Sequence, residues 1–170
     1  MKQCKAEIIS PESDWDMIWS RVRLNSLDFQ ITSFSFKLLH NLLTTEERMA
    51  AILPNSSPLC KFSCHNTPAT LQHTFFHCRL SAVTGSWLLA MVRASDPAAN
   101  EEKVLRLDFD GDGGLVWVTA TILHHIWESR VKSKECTIKE CRAKLMSNLD
   151  FIKKTKHENI VVAALQHISL

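Results

Sequence analysis

The chain has 170 residues, 45% of them hydrophobic, enough apolar material for one core with at most a small satellite. Four glycines and five prolines exclude a fibrous or low-complexity chain. No apolar run reaches the roughly 18 residues of a membrane span, and the opening MKQCKAEIISPESDWD lacks the apolar stretch of a secretory signal. The net charge is +2, but residues 130–156 carry nine Lys/Arg against three Asp/Glu, a net of +6, and the other residues stand at −4; such a stretch suits either phosphate contact or a solvated helix face.

Taken in order, Trp15, Ile18, Trp19 and Val22 follow a 3-4-3 spacing, with Ser13 or Asp14 as cap, and predict a helix over 14–26. FSFKLLHNLL places Phe34, Leu38, Leu39 and Leu42 on one stripe of a second helix. Thr44 and Glu47 form a capping box for a short helix, TEERMAAIL, which Pro54 ends. PNSSPLC is a loop. After Cys78, LSAVTGSWLLAMVRA predicts a helix with Val83, Trp87, Leu88 and Met91 inward. SDPAAN is a break, and Pro97 opens a turn toward EEKVLRL.

DFDGDGG is an acidic, glycine-rich loop. It begins like a calcium loop, yet its twelfth position is Thr119 instead of the closing Glu, so a turn and helix start are expected. LVWVTATILHHIWESRV forms the longest apolar pattern, with Leu115, Val118, Ile122 and Ile126 in helical step. Ile138, Cys141, Leu145, Leu149 and Ile152 keep that step, and Val161 to Ile168 form a last short helix. With a period near 3.6 almost throughout, the expected class is mostly α. The expected organisation is a helical metal-carrying domain over 12–92, a linker over 93–114, and a C-terminal helical segment over 115–170 that is free to pack on the first.

The stretch CKFSCHNTPATLQHTFFHC, residues 60–78, concentrates three of six cysteines and three of eight histidines. Without a secretory start the expected compartment is reducing, cytoplasmic or nuclear, where clustered Cys and His signal metal instead of disulfides. Cys60-x3-Cys64-x8-His73-x4-Cys78 offers four ligands, the number that closes a tetrahedral structural zinc site. His73 and Cys78 can share one ion if a helix begins or distorts between them. His65 and His77 are spare candidates, each adjacent to a cysteine, which is poor geometry for one ion.

Thr70-Leu71-Gln72-His73-Thr74-Phe75-Phe76-His77-Cys78 resembles the T-x-x-H-x-F-x-x-C signature of the zinc-binding domain that follows the reverse transcriptase in many non-LTR retrotransposons. Trp15-x2-Ile18-Trp19, FSFKLLHNLLTTEERM and Ser86-Trp87 resemble other parts of that domain, so the likeness covers residues 12–92; Ile126-Trp127-Glu128-x-Arg130 resembles the helical end of such polyproteins. The resemblance implies a structural zinc on Cys60, Cys64, His73 and Cys78, and a nucleic-acid-associated role beside a polymerase that primes on nicked DNA. The family usually has x2 between the first two cysteines, where this chain has x3. The chain has no tyrosine and no Asp-Asp pair, so the polymerase's own metal-binding hairpin is missing and an accessory, non-enzymatic role is expected.

The partner expected from charge is RNA or DNA, gripped by Lys132, Lys134, Lys139, Arg142, Lys144, Lys153, Lys154 and Lys156, with Lys61 and Arg79 beside the knuckle. The rival expectation is a zinc-stabilised module that docks a protein, such as a reverse transcriptase polyprotein, without touching nucleic acid. His124 and His125 are expected to face apart in structural roles, and Cys136 and Cys141 to be simple core or surface thiols. Trp15, Trp19, Trp87 and Trp127 are expected in the core, with Trp117 unassigned.

Overall fold

The computed structural model describes residues 14–24, 29–62, 64 and 66–152. Among them the chain is mostly helical: α1 (Trp15–Leu24), α2 (Phe29–Leu39), α3 (Glu46–Ile52), a wide π-type turn (His73–His77), α4 (Ala82–Arg93), α5 (Glu101–Arg106), α6 (Gly113–Val131) and α7 (Ile138–Ile152). Extended backbone pairs at an antiparallel bridge between Leu59 and Pro68. No helix among the described residues is long and apolar enough to cross a membrane. The expected helix over 161–168, and the side chain of Val22, lie outside them.

Helix starts follow local chemistry. The Asp14 carboxylate accepts from the Met17 amide at 3.0 Å and so caps α1. At α3 the expected cap is off by one residue: Thr45, not Thr44, accepts from the Arg48 amide at 3.3 Å. The reason lies upstream. Asn41 takes a left-handed φ of 51°, and the Leu42 amide bonds back to the Lys37 carbonyl at 2.6 Å, closing α2 before the extended Thr45. Leu42 therefore falls beyond the helix and is 42% exposed, while Phe34, Leu38 and Leu39 are buried as expected. Asn100, three residues after Pro97, caps α5 by accepting from the Lys103 amide at 2.9 Å. In the acidic loop, Asp112 accepts from the Leu115 amide at 2.7 Å and starts α6.

Helix α6 is the centre of the fold. Leu115, Val118, Ile122 and Ile126 are buried, but so are Val116, Trp117, Ala120 and Leu123, so apolar contact runs round most of the helix instead of along one stripe. It packs against α1, α2, α4, α7 and the wide turn. Trp117, unassigned from sequence, is the most enclosed tryptophan, at 1% exposure; Trp15, Trp19, Trp87 and Trp127 pack against the rim of the same core. Residues 93–114, expected as a linker, carry α5 and bury Val104, Leu105, Leu107 and Phe109 in that core. The C-terminal helices α6 and α7 thus rest on the segment that carries the cysteines.

Helix α4 also differs from its expected face. Val83 is 68% exposed, and the inward stripe is Thr84, Gly85, Leu88, Met91 and Val92. Gly85 sits against the wide turn so closely that a Cβ there would lie 2.2 Å from the Phe75 carbonyl oxygen and 3.0 Å from the Phe76 Cα. Both neighbours are backbone and cannot rotate away. An alanine in a helix interior normally gains about 1 kcal/mol over glycine. Here Gly85→Ala is expected to reverse that sign and cost about 3 kcal/mol through forced separation of α4 and the turn. A urea midpoint equal to or above wild type would refute this close approach.

Candidate metal centre

Cys60 and Cys64 lie on a tight reversal of the chain. The Cys60 amide bonds to the Thr67 carbonyl at 2.9 Å, the Thr67 amide to the Cys64 carbonyl at 3.0 Å, and the Ala69 amide to the Pro58 carbonyl at 2.9 Å. Asn66 supplies the left-handed residue the reversal needs, with φ of 59°.

The other two candidate ligands come from the wide turn. In an α-helix, residues five apart point about 140° away from each other. Here the Cys78 amide bonds five residues back to the His73 carbonyl, at 2.6 Å. A turn closed in this way holds about 4.4 residues, which brings His73 and Cys78 to within roughly 50° of one side. The Ser81 hydroxyl donates to the Thr74 carbonyl at 2.7 Å, giving a partner to a group that the distortion frees from the helix ladder.

The four side chains converge. The ligand atoms of Cys60, Cys64, His73 and Cys78 all lie within 4.8 Å of one another. Cys78 Sγ is 3.8 Å from both Cys60 Sγ and Cys64 Sγ. A tetrahedral ion with metal–sulfur bonds of about 2.3 Å requires sulfur–sulfur edges of about 3.8 Å. His73 Nε2 is buried and has no hydrogen-bond partner, which is costly for a polar atom unless it ligates. Around the ligands stands a small apolar cluster of its own, Cys60, Ala69, Cys78 and Leu80, flanked by Phe62 and Cys64. His77, the spare histidine, is exposed and pairs with Glu101 at 2.9 Å. His65 lies outside the described residues.

A buried arginine completes the centre. Arg130, at the end of α6, donates to Cys78 Sγ at 3.3 Å and reaches Cys60 Sγ at 3.8 Å. Its other terminal nitrogen pairs with the Glu46 carboxylate at 2.6 Å, and its plane lies over the Phe62 ring, 4.9 Å from the centroid. Three thiolates and Glu46 carry four negative charges. Arg130 and Lys61, which lies 3.9 Å from Glu46, return two. A divalent cation makes the group neutral, as burial requires.

The proton affinities fit the same role. Burial would raise the Cys60 thiol, but hydrogen bonds from the Phe62 amide and the Arg130 guanidinium prevail and lower it. Burial pushes the Cys78 thiol up to about 11 in the metal-free chain. Burial, with the Arg130 charge beside it, lowers the His73 imidazole, favouring the neutral form that ligates.

Arg130 and Glu46 were not among the expected site residues. No motif spacing links positions 46, 60 and 130, yet Arg130 falls four residues after Ile126, on the continuation of the buried α6 stripe. A charged residue at that step is the signal that could have identified it. It also removes Arg130 from the basic surface. Of the expected phosphate-contacting residues, Lys61, Arg79, Lys132, Lys134, Lys139 and Arg142 are exposed and Lys144 is half-buried; Lys153, Lys154 and Lys156 lie outside the described residues. Lys134 is bonded to Glu140, and Arg142 lies over the Trp87 ring, 5.7 Å from its centroid. Comparison with known protein families, with curated proteins and with solved structures finds no match to this chain.

Proposed function

We propose that the chain is a non-catalytic, zinc-stabilised helical module that binds nucleic acid, the role implied by its resemblance to the zinc-binding domain accompanying non-LTR retrotransposon reverse transcriptases. The observation that carries the reading is the set of three thiols and one imidazole at tetrahedral spacing beneath Arg130. Thiolates with one imidazole in a tetrahedral, redox-silent arrangement favour Zn2+ over harder or planar-coordinating ions. Four protein ligands leave no position for a reactive water. Glu46, the carboxylate held beside the centre, is held by Arg130 and is not free to act as a base.

The nucleic-acid part rests on the exposed lysines after α6 and along α7, which present positive charge without a buried function. Binding to single-stranded RNA is expected to weaken steeply with salt, each phosphate contact contributing about 0.7 to the log–log slope. Lys132→Ala combined with Lys139→Ala is expected to reduce that slope by about 1.4 while leaving the urea midpoint unchanged. Absence of RNA and DNA binding even at low salt, with zinc present, would reject this part and favour the protein-docking alternative.

A further inference from the structure

A second cluster lies on the opposite side of α6's C-terminal turns, and the metal centre described above does not use it. His125, Cys136 and Cys141 bring their ligand atoms within 4.8 Å of one another. They were expected to serve separate structural roles. His124 does face away, its ring 5.2 Å from that of Phe34.

The placement of all three residues is imposed by the fold. Cys136 is pinned through its backbone: its amide donates to the Leu80 carbonyl at 2.8 Å, and the Thr84 hydroxyl donates to its carbonyl at 2.6 Å. Thr137 then starts α7 with a capping box. Its hydroxyl accepts from the Glu140 amide at 3.3 Å, and the Glu140 carboxylate accepts from the Thr137 amide at 3.3 Å. That box sets the first turn and brings Cys141 Sγ to 3.5 Å from Cys136 Sγ. The two thiols are 3% and 1% exposed. His125 meets them from α6 with both ring nitrogens buried and neither hydrogen-bonded.

An imidazole with two orphaned buried nitrogens beside two buried thiols is poorly explained as packing. Each orphaned nitrogen costs on the order of 1–3 kcal/mol. Two sulfurs 3.5 Å apart subtend about 99° at an ion bonded at about 2.3 Å, within about 10° of the tetrahedral angle. Glu128 Oε2 lies 3.9 Å from His125 Nδ1, a carboxylate near the ring of the kind that orients ligating histidines. We infer that His125, Cys136 and Cys141 form a second metal site, with three protein ligands, for a thiophilic d10 ion, Zn2+ or Cu+. Two thiolates and a neutral imidazole make the Zn2+ form neutral; Cu+ is the other ion that such soft, low-coordinate sets select. Unlike the first centre, this one keeps a coordination position open.

The test is native mass spectrometry of the full chain, reduced and stripped of metal anaerobically, then titrated separately with Zn2+ and with Cu+. Wild type is expected to take up two ions of at least one of these metals. His125→Gln, which keeps size and polarity, and Cys141→Ser are each expected to take up one, with unchanged helicity by circular dichroism. Cys64→Ser is expected to lose the other ion, so failure at the first centre reads separately from failure here. Uptake of a single ion by wild type in both titrations, or two ions retained by both His125→Gln and Cys141→Ser, would overturn the assignment. So would recovery of Cys136 and Cys141 as a disulfide under anaerobic reduction. The ion that restores a count of two identifies the native metal class.

Discussion

Serine at position 78 is expected to abolish binding at the Cys3His centre and to unfold the segment from Cys60 to Leu80. Cys78 is fully buried, stands 3.8 Å from the sulfurs of Cys60 and Cys64, and accepts from Arg130 at 3.3 Å, closer than Cys60 does. A serine hydroxyl does not ionise near neutral pH and is a poor ligand for a soft site. Structural zinc contributes about 10–16 kcal/mol of apparent folding free energy in small sites, as large as the whole stability of a typical domain. The loss spreads because the wide turn that carries Cys78 also places Phe75 and Phe76 in the main core. The expected result for Cys78→Ser is one fewer zinc per chain by elemental analysis, lower helicity, and a non-cooperative or strongly lowered urea transition. His73→Ala and Cys60→Ala are expected to behave alike.

Acid should mimic these variants. The ligating forms are thiolates and a neutral imidazole, so protons compete with the metal. In the metal-free chain the buried His73 has a pKa below its ordinary 6.5. Its contribution to stability is therefore full above 6.5 and is lost as pH falls from there through the depressed value. Retention of a full zinc equivalent in Cys78→Ser, with an unchanged midpoint, would sink the assignment of this centre.

Arg130→Met is expected to destabilise the fold by about 3–5 kcal/mol, although the side chain ligates nothing. Methionine preserves much of the volume against Phe62 but removes the positive charge. The partly buried Glu46 carboxylate would then face the thiolates with only the exposed Lys61, 3.9 Å away, to offset it, and two sulfurs would lose donors. Most of the cost comes from that stranded charge, so adding Glu46→Gln should restore stability in part. The double-mutant cycle by urea denaturation reads this directly. Zinc affinity should fall in Arg130→Met as well, because hydrogen bonds to ligating thiolates and the compensating charge tune the site. Additive single-mutant effects, with no recovery in the double variant, would show that Arg130 and Glu46 do not act as a pair.

The mostly helical class was legible in the sequence, because apolar residues at 3- and 4-residue steps persist from Trp15 to Leu149. So were the four candidate ligands, since three cysteines and a histidine within 19 residues converge by short-range geometry. Local chemistry also set several helix starts, through Asp14, Asn100 and Asp112. Tertiary structure decided the remainder. Burial of α6 around most of its circumference comes from neighbours on several sides, which no single-helix stripe encodes. The face of α4 depended on Gly85 meeting the wide turn, so Val83 lost its place in the core. Arg130 met Cys60, Cys78 and Glu46, and His125 met Cys136 and Cys141, only once α6 was packed. Helical periodicity and ligand spacing act over a few residues and survive in one dimension. Which buried charge finds its partner, and which orphaned imidazole finds its thiols, depends on contacts between segments 52 to 84 residues apart or on how two helices are docked, and that is determined by packing alone.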